Sequence, residues 1–222
     1  MKHTLLVAIL ASALATPAMA FVDMDNNVYV GATVSRIKAN SDEPELKAKT
    51  AYSFYVGDEV RFNDQHSVIA EAGYSSSKHI KRETYKLDYQ FKLPAGESVK
   101  IAPIVGVGYE ELKFKDIGSG MPKVRRVFGE IGVKADINVA TDIYVTPKVV
   151  YQHDFSTKLK GVDESGKIDK GNGVEVEVAV AKELVSGKVS VAPYYKMYRL
   201  KDGSNESSTL KEGGLKFQYD FN

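Results

Sequence analysis

The chain has 222 residues, 43% of them apolar, 10% aromatic and 27% charged, with a formal net charge of +1. Thirty basic residues against 29 acidic ones leave no excess that would favour a nucleic-acid binder. The absence of cysteine excludes disulfide staples and a lipid-anchored amino-terminal cysteine, and no apolar run is long enough for a mature transmembrane helix.

Residues 1–20 have the layout of a secretory signal peptide. Lys2 and His3 give a positive start, 5–15 is apolar, and Ala18-Met19-Ala20 is a small-x-small cleavage site. Cleavage after Ala20 would start the mature chain at Phe21. The rest reads by twos, the period of a strand whose side chains leave on opposite faces. Strand one, 27–38, has Val28, Val30, Ala32 and Val34 in phase; ANSDEPELKAK follows as a polar loop. Strand two, 50–62, carries Tyr52, Phe54, Val56, Val60 and Phe62, with Asp58 as the one charge in that phase. Gly57 beside it is the expected place for a bulge that would turn the carboxylate away from lipid. Strand three has Val68, Ala70, Ala72 and Tyr74, and 75–83 reads as a basic loop.

The clearest pattern lies at 84–107. Tyr85, Leu87, Tyr89, Phe91 and Leu93 alternate with Thr84, Lys86, Asp88, Gln90 and Lys92. The turn Pro94-Ala95-Gly96-Glu97 leads to Val99, Ile101, Pro103, Val105, Val107 and Tyr109. Strand six has Val127, Ile131, Val133, Ala135 and Ile137; strand seven has Ile143, Val145, Pro147, Val149 and Tyr151. Strands eight to ten carry Val174 to Val180, Val189 to Met197, and Leu215, Phe217, Tyr219 and Phe221. Ile101-Ala102-Pro103, Val145-Thr146-Pro147 and Val191-Ala192-Pro193 repeat in matching places, which predicts a repeated hairpin with each proline at a bulge or near a strand start.

Long polar connections after odd strands and short turns after even ones, with strands of about nine to thirteen residues, point to a transmembrane barrel rather than a soluble sandwich. The expected fold is an all-β, antiparallel up-and-down barrel of ten strands, with eight or twelve as alternatives, and both mature ends in the periplasm. Tyr52, Tyr74, Tyr109, Tyr151 and the stretch from Phe217 to Phe221 would form aromatic girdles.

Phe62-Asn63-Asp64 followed by Ser67-Val68-Ile69-Ala70-Glu71-Ala72-Gly73-Tyr74 resembles the turn and strand of small OmpA-like and opacity-type (porin-like) outer-membrane barrels. Pro103-Ile104-Val105-Gly106-Val107-Gly108-Tyr109 is similar to a strand of the same superfamily, and Leu215-x-Phe217-x-Tyr219-x-Phe221 resembles its carboxy-terminal insertion signal, here followed by Asn222. Typical members have eight strands. Oligogalacturonate-specific monomeric porins are a second resemblance, although their twelve strands and basic lumen tracks have no clear match here. The resemblance implies a Gram-negative outer membrane, contact with lipid and lipopolysaccharide, handling by the barrel-insertion machinery, and a monomer.

The polar phase supplies lumen candidates: Glu71, Lys86, Asp88, Glu110, Glu130 and Lys134, then Asp136, Lys148, Glu175, Glu177, Lys196, Lys216 and Asp220. Lys78, Lys81, Arg82, Lys123, Arg125 and Arg126 are candidates for an external rim that meets lipopolysaccharide or another polyanion. Four histidines without cysteine form no clustered ligand set, so neither metal nor cofactor is expected. Outer-membrane proteases place an acid–histidine couple on the inner wall, but His153 and Asp154 are adjacent and would point to opposite faces, so no catalytic residue is expected. The leading functional expectation is a porin-like narrow channel for ions or very small solutes. Its rival is a structural or adhesive surface protein that binds lipopolysaccharide or a host partner through external loops.

Overall fold

The computed structural model describes residues 25–40, 49–114, 123–160, 169–201 and 207–221. The export segment with its cleavage site, the centres of four connecting loops, and Asn222 lie outside the described residues. Eleven strands follow in order: β1 Asp25–Asn40, β2 Lys49–Arg61, β3 His66–Ser77, β4 Ile80–Phe91, β5 Leu93–Pro94, β6 Val99–Phe114, β7 Lys123–Ala140, β8 Ile143–Lys160, β9 Asp169–Leu184, β10 Gly187–Lys201 and β11 Ser207–Phe221. Each long strand pairs antiparallel with its sequence neighbours, β1 pairs with β11, and β4 pairs with β6 across the two-residue β5. The result is a closed ten-stranded barrel with one short extra strand, and closure leaves the sheet no exposed edge.

Its geometry follows from the register. The pairs Asn27–Glu59, Ile69–Asp88, Gly106–Glu130, Gln152–Gly173 and Tyr198–Leu210 link strand to strand around the wall and return to β1 at Ala39. That is a shear of about twelve residues for ten strands, hence a tilt of roughly 40° and a climb of about 2.5 Å per residue. The barrel is inverted relative to a soluble protein. Val105, Ile131, Val149, Val180 and Phe217 are exposed on the outside, and Phe54 is 67% exposed. Tyr52, Tyr74, Tyr109 and Tyr151 lie toward one end of this apolar band; Phe62, Phe91, Tyr219 and Phe221 lie toward the other, about 20–25 Å away, near the height of an outer-membrane apolar band.

Several local expectations change. The span 75–83 is no loop: β3 continues to Ser77, β4 begins at Ile80, and Ser77 Oγ accepts a 3.0 Å hydrogen bond from Ile80 N. The alternation of long and short connections therefore fails at this one hairpin. Strands also run further into the loops than alternation alone showed, as at β8 Ile143–Lys160. Leu93–Pro94 pairs with Lys100 and Ile101, and Gly96 supplies the positive φ of 125° that its turn requires.

The prolines sit at pairing gaps, not at bulges. Pro103, Pro147 and Pro193 each match a residue on the following strand: Val133, Val178 and Leu215. Toward the preceding strand, each proline and the residue before it are left unmatched, and the register resumes unchanged. A residue without N–H opens the ladder on one side only.

Gly57 makes no bulge either. Pairing runs unbroken through Tyr29–Gly57, Val28–Asp58, Gly57–Glu71 and Asp58–Ala70. The glycine serves the inner wall instead, since a Cβ there would overlap the Tyr29 ring. Asp58 remains on the outer face, about 10 Å above Phe62 and roughly level with Tyr89 and Tyr219, in the lower part of the band rather than at its middle. Its Oδ1 is buried without a hydrogen-bond partner. Asp58→Val is expected to stabilise the barrel by about 1 kcal/mol in lipid, because an acid in the apolar band costs less than a basic residue but more than valine. Urea titration in phospholipid vesicles, read as the folded fraction on an unheated gel, measures it; an unchanged midpoint would place Asp58 in the headgroup layer.

Candidate functional site

The inner wall is built by the second phase of every strand. At the short-turn end, which faces the periplasm in such barrels, the lumen opens into a vestibule of about 640 Å³. Glu59, Arg61, Lys92, Lys134, Asp136 and Tyr144 contribute to its lining, and Lys92 Nζ bonds Glu59 at 2.6 Å. Thr146 Oγ1 donates to Asp136 at 2.8 Å. Above it the space narrows to about 160 Å³, then 120 Å³ and finally 40 Å³.

Ion pairs line the bore above the vestibule, longer at mid-barrel than Arg82–Glu212 and Arg126–Glu110 in the layer near the outer end that centres on Arg126. At mid-barrel, Lys86–Glu71, Lys148–Glu175 and Lys216–Glu177 are 3.5, 3.8 and 3.6 Å apart. Tyr29 donates to Glu71 at 3.0 Å. Near the outer end Arg82 Nη1 reaches Glu212 at 2.7 Å, and Tyr194 donates to the same carboxylate at 2.7 Å. Gln152 Nε2 donates to Glu130 at 2.9 Å.

Arg126 is the centre of this layer. It is 1% exposed; Nε meets Glu110 at 2.7 Å, Nη1 meets Asp154 at 3.2 Å, and Nη2 meets Gln152 at 3.3 Å. Its guanidinium carbon lies 4.5 Å from the Phe128 ring centre and 4.2 Å from that of Tyr198, a cation held between two faces. Tyr198 and Thr157 also donate to Asp154. The close approach of these rings depends on small partners: a Cβ on Gly108 would overlap Phe128, and one on Gly171 would overlap Tyr198. Beyond Arg126, the buried Ile37, Leu112 and Val124, together with Ile80, Phe114 and Leu210 around the last small cavity, put apolar side chains at the outer end of the described bore.

The structure places every lumen candidate on the inner wall: Glu71, Lys86, Asp88, Glu130, Lys134, Asp136, Lys148, Glu175, Glu177, Lys216 and Asp220 from the vestibule to mid-barrel, and Glu110 and Lys196 higher up. Asp88 lies against Gly106, and Asp220 takes Lys188 at 3.3 Å. The rim set divides. Lys78 is at the β3–β4 tip, and Lys81, Lys123 and Arg125 are on the outer wall. Arg82 and Arg126 are corrected to lumen residues, because neighbours in a strand face opposite ways and these two follow Glu110 and Glu130 inward. Glu59, Tyr29, Tyr55, Gln152, Tyr198 and Glu212 are not among the candidates the sequence supplies, and Asp154 enters there only as half of an acid–histidine couple. Phase alone could have placed them, but their contacts come from strands far apart in sequence.

A family model described as "Outer membrane protein beta-barrel domain" matches residues 6–221. The chain belongs to this family. Family membership places it in the outer membrane of a Gram-negative bacterium. No curated protein matches it. Among solved structures it is similar to outer membrane protease OmpT from Escherichia coli, with 11% identity, coverage of 89% of this chain and 94% of that one, and a TM-score of 0.49. It is also similar to Neisserial surface protein A, with 10% identity, 90% and 99% coverage and a TM-score of 0.45. For Ail, the attachment invasion locus protein of Yersinia pestis, the values are 10%, 90%, 100% and 0.37. At such identities these likenesses concern architecture alone.

Arg126→Met would leave Asp154 buried without a cation and Glu110 with only its longer pair to Arg82, at an expected cost of about 3–5 kcal/mol. Adding Glu110→Gln and Asp154→Asn should restore a large part of it. Urea midpoints in vesicles test both steps, and a single variant as stable as the parent would mean that Arg126 does not hold the layer together.

Proposed function

We propose that this protein is a closed, non-enzymatic outer-membrane barrel that works as a structural surface protein, its lumen filled rather than open at rest. The observation that carries this reading is Arg126, fixed by Glu110, Asp154 and Gln152 between Phe128 and Tyr198, beneath apolar side chains at the outer end of the described bore. Ten strands enclose little more than the eight whose interior side chains fill completely, so one such layer is enough to close the bore. The charges on the inner wall then act as a packed network in which each ion offsets another's desolvation. The non-enzymatic part rests on the acid–histidine couple. Asp154 is 0% exposed and bound to Arg126, while His153 faces outward and bonds Asn172 at 2.7 Å.

A narrow ion channel is the second reading, favoured by the 640 Å³ vestibule and the looser pairs at mid-barrel. Conduction would then require the Arg126 layer to move. Planar-bilayer recording separates the two. The parent protein is expected to stay silent at every holding voltage, and Arg126→Ala combined with Phe128→Ala to show discrete openings. Frequent openings of the parent, altered by charge reversal at Glu175 or Lys134, would instead establish the channel.

A further inference from the structure

The outer wall of β4, β6, β7 and β8 carries an arrangement that the closed lumen does not explain. Lys81 pairs with Lys113, Lys113 with Lys123, and Lys123 with Lys160, so four lysine positions stand side by side across four strands. The row beneath runs Glu83, Glu111, Arg125, Lys158. Under that lie Tyr85 and Tyr109, rings 6.3 Å apart, at the upper edge of the apolar band. The side chains of Lys81, Glu83, Lys113, Glu111, Lys123, Arg125 and Lys158 alternate with Arg82, Glu110, Leu112 and Arg126, which point inward, so they project from the barrel's outside.

Like charges directly opposite each other on neighbouring strands destabilise a sheet. The two carboxylates relieve only part of the repulsion. Glu83 and Glu111 both take Lys113 Nζ at 2.8 Å, and Glu111 also takes Arg125. Lys81, Lys123 and Lys158 make no ion pair with a described residue, and Lys81 and Lys158 are exposed. Lys81, Lys113, Lys123, Arg125 and Lys158 thus face two acids on one strip of wall, just above a tyrosine pair. A cationic strip at that height meets the headgroup layer rather than hydrocarbon or bulk solvent.

We propose that this strip is a binding site for the phosphate groups of the outer-leaflet glycolipid, lipopolysaccharide, with the acyl chains lying below against Val105, Val107 and Val127. Phosphate suits the site because it accepts several charge-assisted hydrogen bonds at once and can bridge lysines on adjacent strands. Lys81, Lys123 and Lys158, which have no ion pair among the described residues, make the contact, while Glu83 and Glu111 hold Lys113 and Arg125 in place.

The full chain, folded in detergent free of lipopolysaccharide, is titrated with bisphosphorylated lipid A, with dephosphorylated lipid A and with inorganic phosphate. Binding and the unfolding temperature are both read. Bisphosphorylated lipid A is expected to bind and raise the unfolding temperature, and the triple variant Lys81→Gln, Lys123→Gln, Lys158→Gln to bind it about tenfold more weakly or worse. Lys182→Gln, outward-facing at the opposite end, should match the parent. Unheated gel migration confirms that each variant is folded. Equal binding by the triple variant or by dephosphorylated lipid A would overturn the proposal. So would inorganic phosphate that reproduces the full stabilisation, since the site would then take a free anion rather than a lipid.

Discussion

Inside a bilayer no backbone N–H or C=O can be left unpaired, so the β1–β11 ladder that joins the first strand to the last governs everything else. Once closed with a shear of about twelve, the barrel has a fixed tilt and a bore that side chains can fill. Each strand then has one face for lipid and one for the lumen. The lipid face needs only apolar bulk. The inner face must pair every charge with another, because there is too little water to solvate them singly.

That requirement is met unevenly along the axis. At the periplasmic end water can enter, and ion pairs there need not be complete. Toward the outer end the layer of Arg82, Arg126, Glu110, Asp154 and Glu212 draws on β4, β6, β7, β8 and β11, with Tyr194 and Tyr198 from β10 closing it. Glycines on the inner wall make this packing possible by giving Tyr29, Tyr55, Phe128 and Tyr198 room against the opposing backbone. A bilayer-spanning β-protein thus gains a core of polar contacts where a soluble one would have aliphatic packing. The apolar side chains that would fill a soluble core face lipid here.

The same closure explains how the outer wall can be specialised by strand. Prolines at one-sided gaps in β6, β8 and β10 are tolerated because the following strand still supplies a full ladder. Basic residues crowd together on β4, β6, β7 and β8, above the tyrosines, where a headgroup layer can answer their charge.

Strand existence, phase and the apolar outer face were legible in the order of residues, because alternation by twos is a local property of the backbone. So were the number of long strands and the inward direction of Lys86, Glu130 or Glu175. Strand ends were not: basic residues near a loop, such as Arg82 and Arg126, look like rim charges until parity is carried past the last apolar residue. The unbroken ladder at Gly57 was not legible either, since its reason is the Tyr29 ring on another strand. The sequence alone therefore determined which face the side chains in the middle of each strand take. Only the tertiary structure decided which residues meet across the lumen, and so that Arg126 lies among Glu110, Asp154 and Gln152, because those contacts depend on a shear set by the closure of the whole ring of strands.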